Sequence, residues 1–313
     1  MHKLAFIFPG QGSQSPGMGK DLFESFPEAR AVFESVDAAL GEKLSTLCFE
    51  GPEDRLKLTA NTQPAILTVS AAAAAVLSAR GVAPDLVAGH SLGEYSALVS
   101  AGALSAPDAA RAVRARGTFM QEAVPPGRGA MSAVLGLDPE KVREVCAAVQ
   151  AAVGQVVSPA NYNDPMQTVI AGEAGAVAIA GEKLKEAGAR RVLPLPVSAP
   201  FHCALMEPVK ARLEPVLRAI AWTEPAVPVV TNVEAKANRH LERVIPLLGQ
   251  QVTAPVRWIE SVHELARLGA TRMVEVGPGK VLSGLVKRID KAIEVHHVED
   301  RESLERTLAA LGA

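Results

Sequence analysis

Five residues, Gly89-His90-Ser91-Leu92-Gly93, join the apolar run Leu86-Val87-Ala88 to a helical pattern over Glu94 to Ser100. A strand passing into a helix through a G-x-S-x-G turn makes a sharp elbow. The elbow lifts the serine oxygen off the sheet onto the positive end of the following helix, where it can attack a carbonyl and where the resulting oxyanion is stabilised. The competing reading is a plain strand-to-helix turn; the apolar strand before it and the helix after it favour a nucleophilic Ser91 and a chain that handles acyl groups.

The surrounding pattern supports a sheet beneath that elbow. Leu4-Ala5-Phe6-Ile7-Phe8 is a short continuous apolar run, as a strand buried on both faces requires. Helical patterns then alternate with apolar runs at 86–88, 227–230, 273–276 and 293–298, which implies right-handed βαβ units and a mainly parallel sheet. Between Gly129 and Val197 the order changes. Strands are predicted at 130–136, 155–160, 167–171 and 191–195 and helices at 139–152 and 175–187, a β-α-β-β-α-β unit of ferredoxin-like type. The expected fold is α/β, with a large α/β-hydrolase-like domain formed by residues 1–127 and 198–313. A small ferredoxin-like domain, 128–197, is inserted in it and leaves a cleft between the two.

Composition narrows the function classes. With 313 residues, 48% hydrophobic, the chain can bury a large core. A formal net charge of −2 without a dense Lys/Arg block gives no footprint for nucleic acid or an anionic membrane. Leu4 to Phe8 is too short for a signal-peptide core or a span, and the run Ala71 to Ala75, interrupted nearby by Thr68, Ser70 and Ser78, reads as a buried helix. Cys48, Cys146 and Cys203 are odd in number and lack C-x-x-C spacing, which argues against disulfides and a zinc site and fits the cytoplasm.

A serine needs a base. His90, its chain neighbour, rarely has the geometry to take the proton and is read as orienting or lining the site. Of the remaining histidines, His2 is terminal, His240 and His263 sit among charged residues, and His296 and His297 lie in a late strand. His202 follows the segment 193–201, where the small domain hands the chain back to the large one, the junction at which a cleft residue belongs. A hydrogen-bonded core histidine is the alternative. No acid stands out as a third member; Asp138 and Asp164 fall between Ser91 and His202 in sequence, and a carbonyl could orient the imidazole instead.

Ser105 begins a capped helix that places Val113, Gly117, Met120 and Val124 on one face. Arg111 and Arg114 read as solvated, whereas Arg116 lies at the edge of the apolar stripe. It needs a partner or a route to water, and a guanidinium is suited to bidentate binding of a carboxylate. The loop Pro9-Gly10-Gln11-Gly12 lacks the spacing of dinucleotide and P-loop fingerprints. It can instead present a backbone N–H as an oxyanion donor opposite that of Leu92.

Taken together, Phe8 to Gln14, Gly89 to Tyr95, Arg116-Gly117, Pro196-Val197-Ser198 with Phe201-His202, and Glu275 to Gly279 closely resemble the malonyl-CoA:acyl carrier protein transacylase family, nearly end to end and in the right order. The resemblance implies Ser91 as nucleophile, His202 as general base and acid, Arg116 as clamp on the malonyl carboxylate, and Gln11 and Leu92 N–H groups as the oxyanion hole. It also implies that a backbone carbonyl, expected at Gln251, orients the histidine, and that bulky Phe201 accompanies malonyl over methylmalonyl selection. The implied partners are malonyl-CoA and holo acyl carrier protein, with no cofactor or metal, a monomeric state and a role in fatty acid biosynthesis. The alternatives are an acyltransferase of polyketide synthesis, a serine thioesterase or other hydrolase, and an inactive carrier-binding module. Carrier docking could use Lys183, Lys185, Arg190, Arg191, Lys287 or Arg288.

Overall fold

The computed structural model describes residues 3–197 and 199–313. His2 and Ser198, both considered above, lie outside the described residues. The strands are β1 (Lys3–Phe8), β2 (Leu86–Gly89), β3 (Gly129–Leu135), β4 (Val157–Asp164), β5 (Gln167–Glu173), β6 (Arg191–Pro194), β7 (Val229–Val230), β8 (Ala237–Asn238), β9 (Ala270–Val276) and β10 (Glu294–Val298).

The larger sheet runs β10-β9-β1-β2-β7-β8 and is parallel except where β7 meets β8. Its middle strand shows why an unbroken apolar run was needed. Phe6 and Phe8 of β1 face one core, and Ala5 and Ile7 face a second on the other side. Such a strand has no solvent face on which a polar residue could alternate. β7 is shorter than the predicted 227–230 because Pro228 has no N–H to donate to the ladder. Its carbonyl still accepts from Val87 N–H at 3.0 Å.

Between β1 and β2 the chain is helical rather than a single crossover. The longest of these helices, Thr59–Ala79, is long and apolar enough to cross a membrane, but 78% of its most apolar window is buried inside the protein. It packs against the helix Ala106–Glu122. Gly117 permits their close approach: a Cβ there would stand 2.6 Å from the Thr59 carbonyl oxygen. This contact puts Arg116, one residue earlier, against the buried side of the helix Thr59–Ala79.

The smaller sheet is antiparallel, in the order β4-β5-β3-β6, with the helices Pro139–Val153 and Ala174–Glu186 packed on one face. This is the predicted ferredoxin-like arrangement. The opposite face adds Met131, Ala160 and Val169 to the main core. β4 departs from expectation by running on to Asp164 through register shifts at Pro159/Asn161 and Tyr162/Asp164. The shifts re-aim successive side chains, and Asn161 and Asn163 are both drawn toward the serine elbow.

Candidate active site

The elbow is held by the close approach of its two glycines. A Cβ on Gly89 would lie 1.9 Å from the Gly93 carbonyl, and one on Gly93 would lie 2.1 Å from the Phe8 carbonyl oxygen, so only hydrogen fits at either position. Between them Ser91 takes φ 53°, the left-handed region that costs a side chain about 1–2 kcal/mol. Asn232 fastens the turn from across the sheet. Its Oδ1 accepts from Ser91 N–H at 2.7 Å and its Nδ2 donates to the Gly89 carbonyl at 2.6 Å.

His202 reaches this serine from the loop after β6. Ser91 Oγ and His202 Nε2 are 2.7 Å apart. Nδ1 faces the carbonyls of Gln251 at 2.8 Å and Ala254 at 3.2 Å. Two acceptors on Nδ1 place the ring proton there, so Nε2 carries the lone pair and Ser91 donates to it. The predicted Gln251 carbonyl is therefore joined by a second, from Ala254. His202 is 4% exposed. Burial first, then the nearby Arg116 charge, push its pKa from 6.5 to about 3, against the opposing pull of the two carbonyls.

Neither Asp138 nor Asp164 serves as a third member. Asp138 caps the helix Pro139–Val153 through Glu140 N–H and Lys141 N–H, and Asp164 pairs with Arg288 at 2.6 Å. Asp138 is thus occupied at the start of its own helix, and Asp164 by Met166 N–H at 2.8 Å and by Arg288 from 124 residues away.

Arg116, read from the sequence as lying at the edge of an apolar stripe, is wholly enclosed, 1% exposed. Nη1 donates to Gln63 Oε1 at 2.8 Å, while Nη2 donates to Gln251 Oε1 at 2.9 Å and to Ser91 Oγ at 3.0 Å. Nε has no partner among the described residues. Burial lowers the guanidinium's pKa, with Tyr95 and Glu94 acting the other way. Arg111 is exposed, as expected, and pairs with Asp108, but Arg114 is not simply solvated. It is partly buried and reaches Glu42, Asn61 and the Ala60 carbonyl, because the close packing at Gly117 brings the opposing helix within range. The helix itself ends at Glu122, so Val124 is buried beyond it.

These groups open on a cavity of about 100 Å³. Its polar wall includes Gln11, Gln63, Asn161 and the three groups just described; Met120, Met131, Leu195, Val197 and Phe201 form an apolar wall. Gln11 and Leu92 flank the serine, and neither backbone N–H donates to another described residue. Gln11 Nε2 lies 3.3 Å from Thr59 Oγ1. His90 lines the cavity, and its Nε2 meets Asn163 Oδ1 at 2.9 Å. No group of three or more His, Cys, Asp or Glu able to hold a metal occurs among the described residues.

Gln63, Asn161, Asn163, Asn232, Glu94 and the Gln251 side chain did not emerge from the motifs as site residues. Glu94 is buried inside the elbow helix and accepts from Asn232 N–H and Gln251 Nε2. Only Glu94 carried a local signal: a carboxyl in a helix whose every neighbour is apolar or small needs a buried partner.

A serine on an elbow, an imidazole and an enclosed guanidinium converging on one oxygen, in a cleft between a parallel and an antiparallel sheet, define an enzyme of the acyltransferase class. Comparison with known families agrees: the acyl transferase domain matches residues 5–304, and the chain belongs to that family. It is similar to the malonyl CoA-acyl carrier protein transacylase of Bacillus subtilis (strain 168), 48% identical over 311 residues that cover 99% of this chain and 98% of the relative. Among solved structures, the acyl-carrier-protein-S-malonyltransferase of Bartonella henselae superimposes with a TM-score of 0.96 at 47% identity, covering 100% of both chains. A malonyl-transacylase solved in complex with its type II PKS acyl-carrier protein gives 0.95 at 46% identity, covering 98% of this chain and 99% of that one. The resemblance drawn from the motifs is thus borne out.

Proposed function

We propose that this chain transfers the malonyl group of malonyl-CoA to the phosphopantetheine thiol of holo acyl carrier protein through a malonyl-Ser91 intermediate, supplying the extender unit of fatty acid biosynthesis. The observation that carries the reading is the meeting at Ser91 Oγ of His202 Nε2 at 2.7 Å and Arg116 Nη2 at 3.0 Å. A base at that distance can take the hydroxyl proton. An acyl chain built on the same oxygen and ending in a carboxylate folds back within reach of the guanidinium.

In the first half-reaction Ser91 Oγ bonds to the thioester carbonyl carbon as its proton passes to His202 Nε2. The tetrahedral oxyanion faces the Gln11 and Leu92 N–H groups. Collapse breaks the C–S bond, and the proton on Nε2 goes to the departing CoA thiolate. In the second half-reaction His202 takes the proton of the pantetheine thiol, the sulfur attacks the acyl-serine, and the Ser91–acyl bond breaks with return of the proton to Oγ. The chain's own groups balance every proton.

Arg116 supports malonyl over acetyl. An exposed ion pair is worth only about 0.2–1 kcal/mol, whereas a desolvated charge deprived of its partner costs about 3–5 kcal/mol. The apolar wall, including Phe201, supports exclusion of an α-methyl branch and of water from the acyl-serine. Three buried, unpaired cysteines support placement in the cytoplasm; with it we propose a monomer.

Intact-mass measurement after incubation with malonyl-CoA, then with holo carrier protein, tests the reading. One malonyl adduct should form and move to the carrier. An adduct released instead as free malonate would make the protein a hydrolase, and failure of any adduct to form would leave it a carrier-binding module.

A further inference from the structure

Resting on that reading, we propose that Glu94 is a positioning residue for acyl selection: it fixes the side-chain amide of Gln251, which in turn orients the Arg116 guanidinium. Glu94 follows Ser91 by three residues and is 2% exposed. Its Oε2 accepts from Gln251 Nε2 at 2.8 Å and from Asn232 N–H at 3.0 Å.

The orientation of the Gln251 amide follows from these contacts. Nε2 donates both to Glu94 Oε2 and to the Ser91 carbonyl at 3.0 Å. Turning the amide over would bring Oε1 against two oxygens and leave Arg116 facing an N–H₂ group. With Nε2 so held, Oε1 has one direction left, toward Arg116 Nη2 at 2.9 Å. The guanidinium is held between this oxygen and that of Gln63, with Nη2 also donating to Ser91 Oγ and Nε without a partner among the described residues, so loss of either amide oxygen loosens its orientation.

Gln251 is also the residue whose main-chain carbonyl accepts from His202 Nδ1. Its backbone serves the base while its side chain serves the clamp, and Glu94 controls only the second. A residue that merely filled space would affect every acyl group alike. One that orients the clamp must affect an acyl group carrying a free carboxylate more than one without. The needed property is an acceptor atom, not a charge, because both bonds to Glu94 are donated to it.

The test compares malonyl and acetyl loading of Ser91, by intact mass with time, in wild type, Glu94→Met and Glu94→Gln. Met is close in volume and has no comparable acceptor, so the malonyl-to-acetyl rate ratio is expected to fall about tenfold or more, the scale of one buried donor left unmatched. Gln retains an acceptor and should hold the ratio within about threefold of wild type. An unchanged ratio in Glu94→Met, or an equal fall in Glu94→Gln, overturns the proposal. Should Glu94→Met not fold, Gln251→Met keeps the main-chain carbonyl and should show the same fall; an unchanged ratio there overturns it as well. A wild type that forms no malonyl adduct would instead overturn the proposed transferase activity.

Discussion

Ser91 and His202 face each other at 2.7 Å from backbones that are both left-handed, φ 53° and φ 57°. The only other non-glycine residue with this conformation among those described is Ala235, so two of the three flank a single hydrogen bond. Side chains avoid this region because Cβ crowds the following carbonyl, at about 1–2 kcal/mol each. The surrounding fold over-determines both: Gly89, Gly93 and Asn232 hold the serine, and the Gln251 and Ala254 carbonyls hold the imidazole. Strain of this kind makes a separable prediction. Ser91→Ala and Ser91→Gly should both abolish covalent malonyl loading, but Ser91→Gly should be the more stable by about 1 kcal/mol because it removes the Cβ penalty. Equal denaturation midpoints for the two would show that the elbow is not strained at this residue, and labelling of either would remove Ser91 as the nucleophile.

Arg116→Ala is expected to lower malonyl loading by roughly 10²–10³-fold, the range implied when a buried charge loses its partner, while acetyl loading is spared or improved. Loading kinetics with the two CoA thioesters measure this directly. A uniform loss would assign Arg116 to holding Ser91 and Gln251 in place rather than to recognising a carboxylate.

Burial and the neighbouring guanidinium keep His202 neutral down to about pH 3. Glu94, also buried, is pushed up by that burial to about 7 against the pull of Asn232, Gln251 and Arg116. In a Glu94→Gln background, kcat/KM for malonyl-CoA should therefore stay level from pH 8 to pH 5, with no acid limb at the ordinary imidazole value of 6.5. A limb centred there would mean that His202 is solvated in the working enzyme.

The two groups also act on stability with opposite signs. The folded-state value for His202 lies below the unfolded one, so its contribution is present above pH 6.5 and is lost as pH falls toward 3. For Glu94 the folded-state value lies above the unfolded one, so its contribution is present below pH 4.5 and is lost as pH rises through about 7. Glu94→Gln removes only the second dependence. Its stability relative to wild type should rise between pH 4.5 and 7, as read from urea midpoints at pH 5 and pH 8; a constant difference would show that Glu94 ionises normally.

The parts of this site that could be read from sequence are those fixed by adjacent residues. The elbow is legible because strand, turn and helix occur within fifteen residues, and β1 because burial on both faces leaves a continuous apolar run. Arg116 is legible as a cation placed beside an apolar stripe, but its depth is not, since that depends on Gly117 meeting Thr59 from another helix. The partners that set its orientation, and the Asn232 amide that fastens Ser91, were hidden for the same reason. Gln63, Gln251 and Asn232 are common polar residues in no short motif, and their contacts cross 53, 135 and 141 positions. The search for a third acid had a local answer in prospect, Asp138 or Asp164, and the structure answers it with carbonyls, which every residue carries and no sequence pattern marks.

Asn232 provides a test in which the elbow is loosened without touching the clamp. Its single amide joins Ser91 N–H to the Gly89 carbonyl, the two polar groups on either side of the turn, from 141 residues away. Asn232→Ala leaves both groups buried without that partner and should destabilise the fold by about 1–3 kcal/mol. Asn232→Asp keeps an acceptor for Ser91 but sets a carboxylate oxygen against the Gly89 carbonyl, so it should not restore loading. Because Gln251, Gln63 and Arg116 remain in place, malonyl and acetyl loading should fall in the same proportion in both variants, unlike the selective losses expected at Arg116 and Glu94. A fall confined to malonyl would show that Asn232 acts through the guanidinium and that the elbow holds its shape without it.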